Sequence, residues 1–126
     1  MAWCFFSSWA AYLFSGDLIV RAAGVSGALA VALGALGEHV LKHHEKKDFY
    51  QAFQTANRYH YYHTLALMCA SLVARPHLFA GLMISGMLLF SGSCYLYALT
   101  QNKAVVKITP WGGILLILGW LSVALP

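Results

Sequence analysis

The stretch "LFAGLMISGMLLFSGSCYLYALT", residues 78–100, carries no charged side chain. A helix needs about 20 apolar residues to cross roughly 30 Å of hydrocarbon. This stretch therefore predicts a membrane span, and the reading of the whole fold starts from it. Composition agrees: of 126 residues, 60% are apolar and 10% charged, whereas soluble domains run near roughly 45–50% and 25%. A surface so poor in charge suits lipid better than water. The length allows one domain.

Three further apolar segments flank this one. The expected spans cover about 18–38, 57–74, 77–100 and 109–126, an all-α integral membrane four-helix bundle filling residues 18–126. Residues 1–17 read as an apolar amino-terminal segment lying along the interface or packing on the bundle, with Ser15 or Asp17 capping the first long helix. That segment lacks the basic start of a signal peptide and the early arginines of a transit peptide. Pro76 has no amide proton to continue a helix, so it is expected to separate spans two and three by a tight turn. Thr109 is placed as a cap with Pro110 at the first helical position of the last span. Asp48 and Gln51 resemble a capping box opening a helix at Phe49, so the second helix starts in the interface and runs inward.

Basic residues set the expected orientation. Lys42, Lys46, Lys47 and Arg58 fall in the first loop and Lys103 and Lys107 in the third, against Arg21 and Arg75 on the other side. Loops one and three are therefore expected on the cytoplasmic or matrix side. The net charge of +4 is scattered between apolar segments and forms no basic stripe with exposed aromatics, which excludes nucleic acid as a partner.

Helices in lipid associate through close packing, because lipid tails already satisfy apolar surface. Ala23, Gly27, Ala30, Gly34 and Gly37 form one small stripe on the first helix. Gly81, Ser85 and Gly92 form another on the third, with Ser91 and Ser93 beside them, and Gly112, Gly113 and Gly119 serve the fourth. "GALGE" at 34–38 lacks the preceding strand and the Lys-Ser/Thr of a phosphate loop. Cys4, Cys69 and Cys94 are too widely spaced for a zinc motif or a disulfide framework. Cys69 and Cys94 read as small hydrophobes inside spans.

Dense polar chemistry occurs in two places. Glu38, His39, His43, His44 and Glu45 lie near the end of helix one. "RYHYYHTLAL", residues 58–67, brings His60, Tyr62 and His63 to the start of helix two. His39 with His43, and His60 with His63, can each share a helix face. The candidate polar site is His39, His63, Glu38, His60 and Tyr62, with His39 and His63 expected to meet. Four imidazoles could bind a metal, but the inward carboxylates of a di-iron bundle are missing. The tyrosines, with His60, read as interfacial anchors, and His43 and His44 as solvated. No metal, cofactor or catalytic residue is assigned, since no nucleophile has a nearby base and no carboxylates pair within a span.

Four stretches in order, "GALGEHVL", "ANRYHYYHTLALM", "LLFSGSCYLYAL" and "TPWGGILLILGW", resemble the successive motifs of the transmembrane protein 256 family. The resemblance covers about Arg21 to Leu125, and its bacterial members are small inner-membrane proteins grouped as a domain of unknown function. It implies a four-helix membrane protein and, through the animal members, a mitochondrial inner-membrane site. The family's Gly-x-x-Gly-x-His pattern falls on Gly34, Gly37 and His39, its Tyr-His entrance on Tyr62 and His63. Phe90 to Ser93 and Thr109 to Gly113 match two further motifs. Glu38 departs from the pattern, placing an acid beside His39. The resemblance supplies no activity.

Two functions follow as expectations. One is a non-enzymatic accessory or scaffold component, in the bilayer with protein partners or as a homo-oligomer. The other is a small metal- or proton-handling protein, or a carrier, using the histidine cluster between helices one and two.

Overall fold

A computed structural model describes residues 2–43 and 47–126, with side chains from residue 18 onward. Among these residues the chain is helical: α1 (Ala2–Leu36), α2 (Lys47–Met68), α3 (Pro76–Thr100) and α4 (Thr109–Ser122). A π-helical turn, Gly37–Leu41, ends α1, and 3₁₀ turns occupy Ala70–Leu72 and Val105–Ile108. Leu18–Leu41, Pro76–Thr100 and Val105–Ser122 are long and apolar enough to cross a membrane. The large apolar side chains of α1, α3 and α4 that face outward, such as Val25, Leu88 and Ile117, are exposed, as lipid contact requires.

α2 departs from the expected second span. It stops at Met68 rather than residue 74 and does not qualify as a span by composition. Its Gln54, Asn57, His60 and Thr64 make it too polar. Even so, it lies along α1 at span depth. Phe53 sits against Gly37, Asn57 against Gly34 and Thr64 against Gly27, an antiparallel pairing kept in step over three helical turns. Asn57, His60 and Thr64 turn toward α1 and α3 and bond there, while Arg58 and Tyr62 stay exposed.

Helices pack in chain order: α1 on α2, α2 on α3, and α3 on α4. One apolar cluster joins Ala23, Leu67, Ala70, Phe79, Met83 and Leu116 toward the α2–α3 connection. A second joins Leu41, Phe53, Ala56, Tyr95 and Ala98 at the opposite end. Phe53 meets the Tyr95 ring edge-on at 4.8 Å between centroids, a favoured aromatic geometry. Polar side chains of α1 and α2 fill the layer between the clusters.

The glycines divide sharply. A Cβ on Gly37 would fall 2.5 Å from Phe53 Cε1, on Gly86 2.7 Å from Leu116 Cδ2, and on Gly112 into the backbone at Leu89 and Phe90. Gly27, Gly34 and Gly113 face Thr64, Asn57 and Phe90 at 3.1–3.7 Å, and Gly119 faces Met83. Gly92, expected on a packing face, meets nothing within 4 Å, and neither does Gly81. The α3 face that receives α4 is instead the one carrying Gly86. The stripe through Gly81, Ser85 and Gly92 sits on a different side of that helix.

Several local expectations change. α1 runs unbroken through residues 15–17, so no helix starts at Ser15 or Asp17. The interfacial placement of residues 1–17 concerns side chains outside the described residues. α2 begins at Lys47, so Asp48 lies in its first turn, near the positive helix end, rather than ahead of it as a cap. The connection to α3 spans residues 69–75 and includes a 3₁₀ turn, which is longer than a turn at Pro76 alone. Cys69 is exposed beyond the end of α2. Thr109 makes no cap hydrogen bond; its hydroxyl instead meets Ser93 Oγ at 2.6 Å and ties α4 to α3.

Candidate functional site

Asn57, His60 and Thr64 recur at three- and four-residue spacing, so they share the face of α2 that turns inward. Asn57 Nδ2 donates to the Ala30 carbonyl at 2.8 Å and to Tyr95 Oη at 3.0 Å. His60 Nδ1 lies 3.3 Å from Tyr95 Oη, and its Nε2 lies 2.9 Å from Ser26 Oγ. Ser26 Oγ is 2.6 Å from Thr64 Oγ1, and Thr64 Oγ1 lies 3.9 Å from Met87 Sδ.

Two proton arrangements fit this chain. With Thr64 donating to Met87, Ser26 donates to Thr64 and accepts from His60 Nε2–H, and His60 Nδ1 accepts from Tyr95. With Thr64 donating to Ser26, Ser26 donates to His60 Nε2 and the ring proton on Nδ1 goes to Tyr95. In both, Tyr95 accepts from Asn57. One continuous chain of hydrogen bonds thus links α1, α2 and α3 with a neutral His60 at its centre.

His63 is buried, with 5% of its surface exposed, and its contacts fix its proton. Trp120 Nε1 donates to His63 Nε2 at 3.2 Å, leaving Nδ1–H to donate to the Tyr59 carbonyl at 2.7 Å. The His63 ring stacks on Tyr59 and meets the Trp120 ring edge-on. Both nitrogens of both histidines are therefore occupied.

A third polar group forms near the end of α1. Tyr50 Oη donates to Glu38 Oε1 at 2.5 Å, Gln54 donates to Tyr50 Oη at 2.7 Å, and Lys42 Nζ lies 3.1 Å from Glu38 Oε2. The hydrogen bond to Glu38 raises the Tyr50 phenol above its usual value, and the same carboxylate raises Lys42. Glu38, Tyr50, Gln54, Asn57 and Arg58 line a cleft of about 500 Å³ here.

The structure does not assemble the candidate residues as one site. The α1–α2 pairing sets His63 level with Ala28, about 16 Å along the axis from the level of His39 at 1.5 Å per residue. His39 is exposed on the π turn, and the expected meeting of His39 and His63 does not occur. Tyr62 is 58% exposed on the outer face. His60, read as an interfacial anchor, is half-buried and bonds to Ser26 and Tyr95. Glu38 joins Tyr50 and Lys42 instead of a histidine. His44 and Glu45 lie outside the described residues, and among the described residues no three His, Cys, Asp or Glu side chains come together as a metal site. Ser26, Asn57, Thr64 and Tyr95 were missed. The spacing of Asn57, His60 and Thr64 was the available signal.

Because α1 and α3 both pack on α2 rather than broadly on each other, a groove of about 330 Å³ opens between them. Val25, Leu29, Ile84 and Leu88 form its walls, and Ser26, His60, Ser91, Gly92 and Tyr95 also reach it.

Residues 33–113 match the family described as "Protein of unknown function (DUF423)". Among curated relatives, the UPF0382 membrane protein of Haemophilus influenzae is 40% identical over 79% of this chain and 85% of its own length. UPF0382 membrane protein YwdK of Bacillus subtilis is 35% identical over 79% and 86%. UPF0382 membrane protein SSP2132 of Staphylococcus saprophyticus is 33% identical over 77% and 85%. No solved structure matches. These relatives are bacterial and lend nothing to the mitochondrial site implied by the earlier resemblance.

Proposed function

The chain belongs to the DUF423 family of membrane proteins, and from that premise we propose that it is a non-enzymatic accessory component that docks on a partner protein through the outer face of α1. The observation that carries this reading is a second small-residue stripe. Gly24, Ala28, Ala32 and Ala35 are all exposed, and a Cβ at Gly24 meets nothing within 4 Å. Small residues let helix backbones approach closely in lipid, where they favour association. This stripe lies on a different side of α1 from the residues that meet α2.

Purification from native membranes in gentle detergent tests it. A stoichiometric partner protein should copurify with the wild type and be lost from Ala28→Leu and Ala32→Leu. A chain that purifies alone contradicts the reading, and copurification of itself only would make it a homo-oligomer. The asymmetry of basic residues supports an orientation with loops one and three on the cytoplasmic side.

A second reading, proton handling, is favoured by the chain from Asn57 through Tyr95, His60 and Ser26 to Thr64. Proton flux into liposomes that disappears in His60→Ala would support it. Equal flux with and without the protein would sink it.

A further inference from the structure

Hydroxyls inside helices normally donate to a carbonyl three or four residues back. Ser85 does so to Gly81, Ser93 lies 3.0 Å from the Phe90 carbonyl, Thr100 reaches Leu96 and Ser122 reaches Gly119. Ser91 does not. Its Oγ is buried with no hydrogen-bond partner, the residue is 3% exposed, and it lines the groove between α1 and α3. A buried hydroxyl without a partner costs free energy unless something supplies an acceptor.

Next to it, Gly92 leaves open space where any other residue would project a side chain. The groove walls are apolar, and the nearby polar groups His60, Ser26 and Tyr95 already bond to one another. The groove thus offers one unspent hydroxyl in an apolar slot.

We infer that this groove binds a neutral lipophile through a carbonyl oxygen that accepts from Ser91 Oγ, with its hydrocarbon along Val25, Leu29, Ile84 and Leu88. Depth narrows the class. Ser91 lies three residues past the middle of α3, about 4.5 Å along the helix. A phospholipid's ester carbonyls sit near the edge of the hydrocarbon, roughly 15 Å from its centre. The carbonyl that reaches Ser91 must therefore lie within the body of the lipophile rather than beside a charged headgroup. This site is distinct from the outer α1 stripe and does not rest on the accessory reading.

The test uses the purified full chain in dodecyl maltoside, a detergent without a carbonyl, with 12-tricosanone labelled with ¹³C at its ketone. The infrared ketone band should split into a micelle band and a lower-frequency, hydrogen-bonded band that saturates at one equivalent. Ser91→Ala should weaken binding about three- to tenfold and remove the shifted band. Gly92→Leu should block binding while the protein keeps its elution volume and thermal unfolding, and Ile117→Ala on α4 should bind as the wild type does. A single unshifted band with the wild type overturns the proposal, as does a shifted band that survives Ser91→Ala. Exclusion of the ketone by a cross-linked second copy seated in the groove overturns it too.

Discussion

Trp120 on α4 donates its indole proton to His63 on α2 at 3.2 Å, and this bond explains why His63 is inward and buried. It engages the nitrogen left over once Nδ1 has bonded the Tyr59 carbonyl. Trp120→Phe removes the donor and keeps most of the ring. It should lower stability by about 0.6–1.5 kcal/mol, measured by reversible unfolding in mixed micelles.

His63 must carry its proton on Nδ1, because the Tyr59 carbonyl only accepts and the Trp120 indole N–H only donates. Nitrogen NMR of ring-labelled histidine at neutral pH should show a neutral Nδ1–H ring whose signals vanish in His63→Gln. A His63 ring protonated on Nε2 would break the Trp120–His63–Tyr59 link.

His39 and His63 should be energetically independent. His39→Ala on the exposed π turn should change stability by no more than about 0.5 kcal/mol. The double substitution with His63→Ala should be additive within about 0.3–0.5 kcal/mol. A larger coupling would restore the His39–His63 site that the helix register excludes.

The glycines should separate into two classes under substitution. Gly112→Ala places a methyl group against the Phe90 backbone, which cannot swing aside, and should cost about 3 kcal/mol or more. Gly37→Ala meets the Phe53 ring, which can turn, and should cost about 1–3 kcal/mol. Gly81→Ala and Gly92→Ala meet open space and should be neutral or stabilising by up to about 1 kcal/mol through helix propensity.

Tyr95→Phe cuts the polar chain at its link between Asn57 and His60. Half-satisfied buried groups cost more than absent ones, so the loss should be about 1–2 kcal/mol. The mixed-micelle unfolding assay should show no comparable loss for Tyr62→Phe, which lies exposed on the outer face.

The uncharged run at 78–100 was enough to read a membrane helix, because hydrocarbon thickness sets a length that sequence displays directly. The small faces of α1 and α4 were legible for the same reason, since glycine at helical spacing has few other uses in lipid. On α3 the criterion misled: Gly81, Gly86 and Gly92 are alike in sequence, and only the angle at which α4 approaches selects Gly86. The candidate site failed through register. His39 and His63 border the same loop, but α2 begins at Lys47 and runs back along α1 for several turns before reaching His63. Thr109 was read locally as a cap, while a partner on another helix, Ser93, took its hydroxyl. Asn57 and Thr64 were passed over because neither is a metal ligand or an anchor, although their spacing from His60 marked a common face.

The exposed face Gly24–Ala28–Ala32–Ala35 is proposed to hold a partner protein in the membrane. Gentle-detergent purification of the wild type beside Ala28→Leu and Ala32→Leu, with subunit ratios read by quantitative mass spectrometry, tests it most directly. One partner at fixed stoichiometry is expected with the wild type, and its loss from both variants, whose own folding is unchanged. A wild-type chain that purifies without any partner, or a partner that both variants retain, would contradict it.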